Sequence, residues 1–137
     1  MMVSKKIKGA IQLIRPELPL AAGVCVVLGE ILGLGRLPPI RELLLGFACG
    51  FFLSGSALTL NDYFDIEVDR VNAPLRPIPA GLLTARDALL LTALVALLGL
   101  SAAFLLGPLA FTVGVIFWVI GVLYNWRYKA YGLWGNL

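Results

Sequence analysis

Four long apolar stretches constrain this chain more than any other feature of its sequence. Each is long enough to cross the hydrocarbon core of a membrane as a helix, which takes about 20 residues, and only the first contains a charge, Glu30. The fourth stretch is long enough only if Tyr124 and Trp126 lie at the membrane–water interface and complete it. Apolar residues make up 60% of the chain and charged residues 14%, too few to coat a water-soluble globule. We therefore predict an all-α fold, a single domain at 1–137 with four transmembrane helices at 18–35, 43–60, 88–106 and 107–126.

The distribution of lysine and arginine predicts how the helices are oriented. Positive charges collect on the cytoplasmic side of membrane proteins. Nine of the eleven lysines and arginines lie before the first stretch, in the loop 61–87 or after the fourth stretch, whereas Arg36 and Arg41 lie between the first two. We expect a multi-pass protein of the cell membrane with both termini and the loop 61–87 in the cytoplasm. The basic residues form no stripe that a nucleic acid could follow, so we expect no nucleic-acid partner.

The absence of histidine and the placement of the two cysteines narrow the possible chemistry. Without histidine, catalysis must depend on carboxylates, lysine, arginine, tyrosine or a metal ion. Cys25 and Cys49 lie inside apolar stretches and lack the C-x-x-C spacing of metal sites. We predict that both thiols are buried as small apolar side chains.

The segment that follows the second apolar stretch is rich in carboxylates, with the sequence NDYFDIEVDR at 61–70. If the helix continues through it at 100° per residue, its three aspartates share one face with the amide, while Glu67 points elsewhere. The residues of that face are Asn61, Asp62, Asp65 and Asp69.

A charged run at a helix end usually does no more than solvate that end. Here, however, the carboxylates face the negative end of the helix dipole and repel each other, and a bound cation would offset both effects. Oxygen ligands without histidine or cysteine select a hard cation, and Mg²⁺ typically takes one or two carboxylates while phosphates and water complete its shell. We therefore predict a Mg²⁺ and diphosphate site, with Arg70 and Arg76 meeting the remaining phosphate charge. The chain has no P-loop motif that would indicate a nucleotide.

The spacing of these residues resembles a known motif. N-D-x-x-D-x-x-x-D at 61–69, followed by R-P-I-P-x-G at 76–81, resembles the first aspartate-rich motif of the UbiA superfamily of intramembrane prenyltransferases. Y-N-x-x-Y-K at 124–129, with Gly-Asn at 135–136, resembles the segment after the family's fourth helix, and Arg15-Pro16 resembles the beginning of its first. The run 61–81 is the specific part, and the resemblance extends over nearly the whole chain.

This resemblance implies a helical membrane enzyme, usually of nine transmembrane helices, that transfers a prenyl group from its diphosphate to a lipophilic acceptor. Its catalytic residues would be Asp62, Asp65 and Asp69, which with Asn61 would bind Mg²⁺ and through it the diphosphate. Arg76 and Lys129 would contact phosphate oxygens directly. Arg15 and Tyr124 are expected to contact the acceptor or substrate, with a topology anchor as the other interpretation of Arg15.

The family pairs this motif with a second aspartate-rich motif in a later half, and no second acidic cluster occurs before Leu137. We therefore expect the N-terminal half of such an enzyme, inactive without the half that carries the second motif. The loop most resembles archaeal-type members that act on geranylgeranylglyceryl phosphate in ether-lipid synthesis, although quinone-precursor and haem-modifying relatives share the motif. A non-catalytic four-helix membrane subunit is the alternative, but three of the four spans lack the ionisable groups that usually mark a transport pathway.

Overall fold

The structure is a computed structural model that describes residues 2–128. Within that range the chain is helical and contains no strand, as expected for an all-α protein. Six α-helices follow one another along the chain, and a π-helical turn, Tyr124–Tyr128, extends the last of them. The helices are α1 (Met2–Ile14), α2 (Glu17–Leu34), α3 (Ile40–Phe64), α4 (Ile66–Asn72), α5 (Ala85–Leu106) and α6 (Pro108–Leu123).

Four helical segments are long and apolar enough to cross a membrane: Glu17–Leu34, Ile40–Phe64, Ala85–Leu106 and Pro108–Arg127. The prediction of four membrane-spanning helices is therefore confirmed. The second segment is longer than the predicted 43–60, because α3 continues into the first half of the aspartate-rich segment.

Helix α3 is central to the bundle and packs against α2 and α5. Two glycines allow these contacts. A Cβ on Gly50 would lie 2.8 Å from the carbonyl oxygen of Ala22, and one on Gly99 would lie 2.9 Å from the backbone nitrogen of Leu53. Both distances are too short for a side chain, so glycine is what lets the helix backbones approach so closely.

Helix α1 was not among the helices predicted from the sequence. Its Leu13 is fully buried and belongs to a small core with Leu83 and Ala88 at the beginning of α5. The ammonium of Lys6 pairs with the carboxylate of Asp87 at 3.0 Å. These contacts fix α1 against the end of the bundle that carries the aspartate-rich segment.

The cysteines are less buried than predicted. Cys25 is exposed on α2 and Cys49 is half-buried on α3, so the expectation that both thiols are buried was wrong for Cys25. Helix α2 packs mainly against α3, which leaves much of its surface at the periphery of the bundle. A small apolar thiol is suited to the lipid that would surround such a helix.

Candidate functional site

The aspartate-rich segment is not one continuous helix. Helix α3 ends at Phe64, and α4 begins at Ile66 after an interruption at Asp65, which has φ −90° and ψ 4°. The main chain remains hydrogen-bonded across the interruption, because the Asp65 amide donates to the Asn61 carbonyl at 3.0 Å and the Asp69 amide donates to the Asp65 carbonyl at 2.7 Å.

Two arginines hold the first and last aspartates of the motif. Nη2 of Arg15 donates to both carboxylate oxygens of Asp62, at 2.6 and 2.9 Å. Nη1 of Arg76 donates to Oδ1 of Asp62 at 3.1 Å and to Oδ2 of Asp69 at 2.7 Å. The four residues form one continuous network, which we call the Arg–Asp cluster.

The carboxylates of this cluster lie beneath its guanidinium groups. The side chains of Asp62 and Asp69 are 2% and 8% exposed, whereas those of Arg15 and Arg76 are 28% and 34% exposed. Buried carboxylates need paired charges and hydrogen bonds, and the arginines supply both. The accessible face of the cluster is therefore cationic, and guanidinium groups bind phosphates through charge-assisted hydrogen bonds.

Arg15 reaches the cluster from the junction between α1 and α2. Its backbone has φ 50°, the left-handed region, which is unfavourable for residues other than glycine. The Arg15 amide donates to the Ile11 carbonyl at 3.1 Å and so closes the end of α1. Such strained positions persist where surrounding contacts determine them, and the two hydrogen bonds to Asp62 are contacts of that kind.

Arg76 reaches the cluster from the compact turn that connects α4 to α5. Its amide donates to the Ala73 carbonyl at 3.0 Å, and its carbonyl accepts from the Ala80 amide at 2.9 Å. The carbonyl of Pro77 accepts from two further amides, and Gly81 has φ 73°, which favours glycine. The R-P-I-P-x-G motif thus forms a turn that directs Arg76 towards α3 and α4.

The remaining two motif residues, Asn61 and Asp65, are hydrogen-bonded to each other. Nδ2 of Asn61 donates to Oδ2 of Asp65 at 3.1 Å, and both residues are partly buried. Among residues 2–128, no three acidic or cysteine side chains lie close enough to hold one metal ion. The shared face of the three aspartates therefore stays a prediction, and the hydrogen bonds group Asp62 with Asp69 through Arg76, and Asp65 with Asn61.

The chemistry of these donors nonetheless fits Mg²⁺. Carboxylate and amide oxygens are hard ligands, and Mg²⁺ commonly uses only one or two protein carboxylates when substrate phosphates provide the rest. Each pair of the motif offers such a set, two carboxylates in Asp62 and Asp69 and one carboxylate with an amide oxygen in Asp65 and Asn61.

The other predicted site residues are not joined to the cluster by contacts seen in the described range. Arg70 is exposed and donates to both oxygens of Glu67, at 3.0 and 3.2 Å. Tyr124 begins the π-helical turn and is exposed. Lys129 lies outside the described residues. The sequence did not indicate that Arg15 pairs with Asp62, although its position directly before the first span was a signal of its importance.

An apolar cavity of about 160 Å³ lies between α3 and α6. Leu60, which borders it, directly precedes the aspartate-rich motif in the chain. Nε1 of Trp118 donates to Oγ of Ser56 at 2.9 Å and so fixes the indole that lines the cavity. A cationic surface at the end of α3 and an apolar cavity along α3 suit a ligand with an anionic head and an apolar chain.

Comparisons with known proteins agree with the sequence resemblance. Residues 22–137 match the model of the UbiA prenyltransferase family. The chain belongs to this family. Among its relatives, digeranylgeranylglyceryl phosphate synthase of Pyrococcus horikoshii is 34% identical over 95% of this chain and 47% of the relative. The enzyme of the same name from Pyrococcus furiosus is 35% identical over 96% of this chain and 48% of the relative. The chain thus spans about half the length of these curated relatives.

A solved structure shares the fold. It has a TM-score of 0.86 and 31% sequence identity, and the match covers 90% of this chain and 44% of that chain. The structure is described as giving structural and mechanistic insights into the biosynthesis of digeranylgeranylglyceryl phosphate synthase in membranes. Family membership and four apolar helices together indicate an integral membrane protein.

Proposed function

We propose that this chain is part of an intramembrane prenyltransferase that moves a geranylgeranyl group from its diphosphate to geranylgeranylglyceryl phosphate, as in archaeal ether-lipid synthesis. The observation that carries the proposal is the cationic face of the Arg–Asp cluster at the end of a membrane-spanning helix. Both substrates join an anionic head to a long apolar chain. Two partly exposed arginines above two buried aspartates provide one cation for each anionic head.

The transfer is a substitution at C1 of the allylic diphosphate. The bond between C1 and the diphosphate oxygen breaks, a hydroxyl oxygen of the acceptor forms an ether bond to C1, and the acceptor releases its proton. Charge develops on the departing diphosphate, so fixed cations around that group lower the barrier. Arg76 has this role in our proposal, supported by Lys129 and Arg70, while Arg15 and Tyr124 contact the acceptor.

Substrate binding requires an exchange of ion pairs. In the structure, Arg15 and Arg76 are engaged by Asp62 and Asp69. A phosphate competes for the same guanidinium groups, since arginine binds phosphate and carboxylate in similar geometry. Drawing an arginine towards phosphate frees carboxylate oxygens of Asp62 and Asp69.

Mg²⁺ ions would be held at the two pairs, by the freed oxygens of Asp62 and Asp69 and by Asp65 with Asn61, and when bound they would neutralise charge on the leaving diphosphate. The prenyl chain would occupy apolar space along α3, where the surrounding helices exclude water from the reacting carbon. We place this site at the cytoplasmic side of the cell membrane, in agreement with the distribution of positive charge.

We propose this activity only for a complete protein. Such a protein would also have a segment that corresponds to the rest of the relatives' length and carries a second aspartate-rich motif. On its own, the chain 1–137 is expected to insert into membranes without measurable transfer, and supplying the remaining part in trans is expected to restore it. Robust transfer by the purified chain 1–137 would show that a second motif is dispensable.

The test is a transfer assay on the complete protein in detergent, with radiolabelled geranylgeranyl diphosphate, geranylgeranylglyceryl phosphate and Mg²⁺. Asp65→Asn is expected to lower transfer by a factor on the order of 100 or more. Glu67→Gln is the matched control, because Glu67 carries a carboxylate in the same segment but is exposed and pairs with Arg70. Equal activity of the two variants would contradict the assigned role of the motif.

The acceptor is tested in the same assay. Transfer to geranylgeranylglyceryl phosphate with little transfer to a hydroxybenzoate or haem acceptor supports the ether-lipid assignment. The opposite preference would place the protein with the quinone or haem branch of the family. If the complete protein transfers the group to none of these acceptors, the alternative that it is a non-catalytic membrane subunit would be favoured.

A further inference from the structure

We infer that α1 is an in-plane membrane helix whose partner is a lipid surface that carries anionic headgroups. The inference depends on the exposed surface of α1 and on the membrane-spanning nature of α5. It is independent of the catalytic assignment.

The first observation is an apolar row that does not serve the packing of α1. Val3, Ile7 and Ile11 are spaced four residues apart, so they lie along one side of the helix, and each is more than half exposed. The side that packs on the bundle is a different one, where Gly9 and Leu13 are buried. The row is therefore available for contact with something outside the described part of the chain.

The second observation identifies that contact as lipid. An apolar groove of about 370 Å³ lies between α1 and α5, and Val3 and Ile7 line one wall. Leu90 and Leu94 of α5 line the other wall and are themselves more than half exposed. Helix α5 is long and apolar enough to span a membrane, so exposed leucines on it that the rest of the protein leaves uncovered face lipid chains. The row on α1 is continuous with this lipid-facing surface.

The third observation concerns charge. Lys5 and Lys8 are exposed and lie away from the apolar row, and α1 contains no acidic residue. Lys6, in contrast, pairs with Asp87 and helps to hold α1 against α5. A helix with an apolar side and a lysine-bearing side is the type that lies in the membrane interface, with its cations among anionic headgroups. Charge complementarity therefore selects an anionic lipid surface over a neutral one.

The depth of α1 is tested by spin labelling of the chain in nanodiscs that hold one copy each. Cys25→Ala and Cys49→Ala remove the native thiols, and a label is placed at Ile7→Cys or, as the matched control on the polar side, at Gln12→Cys. In phosphatidylglycerol nanodiscs, the Ile7 label is expected to collide at least about threefold more often with oxygen than with a water-soluble nickel complex, as a label immersed in the interface does. The Gln12 label is expected to show the reverse.

Two results would overturn the inference. If the Ile7 label is as accessible to the nickel complex as the Gln12 label, α1 lies in water. If the Ile7 label is protected from both reagents, protein covers the row instead of lipid. Circular dichroism of each labelled variant confirms that the helices are formed.

The preference for anionic lipid is tested with spin-labelled lipids in mixed nanodiscs. Lys5→Gln/Lys8→Gln is expected to lower the association of phosphatidylglycerol relative to phosphatidylcholine by about fivefold for each lysine that contacts a headgroup. In nanodiscs of phosphatidylcholine alone, the same substitutions should leave the depth of the Ile7 label unchanged. An unchanged lipid preference in the double variant would refute the role of these lysines.

Discussion

The contacts within the Arg–Asp cluster indicate that Arg15 and Arg76 contribute unequally to the free energy of unfolding. Arg76 bridges two buried carboxylates, whereas Arg15 contacts only Asp62. In Arg15→Gln, Asp62 retains Arg76 as a partner. In Arg76→Gln, Asp69 loses the only ion pair that it makes within the described residues, while Asp62 retains Arg15. We therefore expect Arg76→Gln to be the more destabilising change.

The magnitudes follow from the burial of the aspartates. Removing one partner of a buried ion pair costs about 3–5 kcal/mol, and because the Arg76 side chain is 34% exposed we expect the lower end, about 3 kcal/mol. Arg15→Gln removes charged hydrogen bonds but leaves no carboxylate unpaired, so we expect about 1.5 kcal/mol. In the double variant Asp62 has lost both partners, and the total cost should exceed the sum of the two single costs.

The assay is reversible unfolding of the chain in mixed micelles with increasing dodecyl sulfate, followed by circular dichroism. Glu67→Gln serves as the control, since the exposed pair with Arg70 should be worth less than about 1 kcal/mol. Adding Asp62→Asn to the double variant should recover part of the lost stability, because it removes an uncompensated buried charge. Equal costs for Arg15→Gln and Arg76→Gln, or additive costs in the double variant, would refute the bridging role of Arg76.

Three further predictions test the backbone, the packing and the orientation. Arg15→Gly should be more stable than Arg15→Ala by about 1 kcal/mol in the same unfolding assay, because both remove the ion pair but only glycine relieves the positive φ; equal stabilities would refute this. Gly99→Leu should destabilise the chain by at least about 2 kcal/mol, since even a Cβ would meet the backbone of Leu53, and Gly121→Leu, where the surroundings are open, is the control. A cysteine introduced as Ala73→Cys in a background without native thiols should react with impermeant reagents only from the cytoplasmic side, and labelling of intact cells from outside would reverse the orientation proposed from the positive charges.

The sequence by itself determined the properties that depend on composition and short-range pattern. Apolar length predicted four membrane-spanning helices because the thickness of the bilayer sets the number of residues that a helix needs. The spacing of the motif predicted the family, since the polar residues of the run 61–81 are separated as in the family's first aspartate-rich motif. The amphipathic helix α1 could also have been predicted, because Val3, Ile7 and Ile11 repeat with helical spacing.

The tertiary structure decided which charges meet. Arg15 and Asp62 are 47 residues apart in the chain, and no local pattern indicates that their side chains pair. The interruption at Asp65 between α3 and α4 is likewise a feature of the folded chain that a helical wheel drawn through 61–70 does not include. Periodicity reports which side of a helix is apolar, whereas the partner of a buried charge depends on the packing of segments distant in sequence, and only the folded chain brings those segments together.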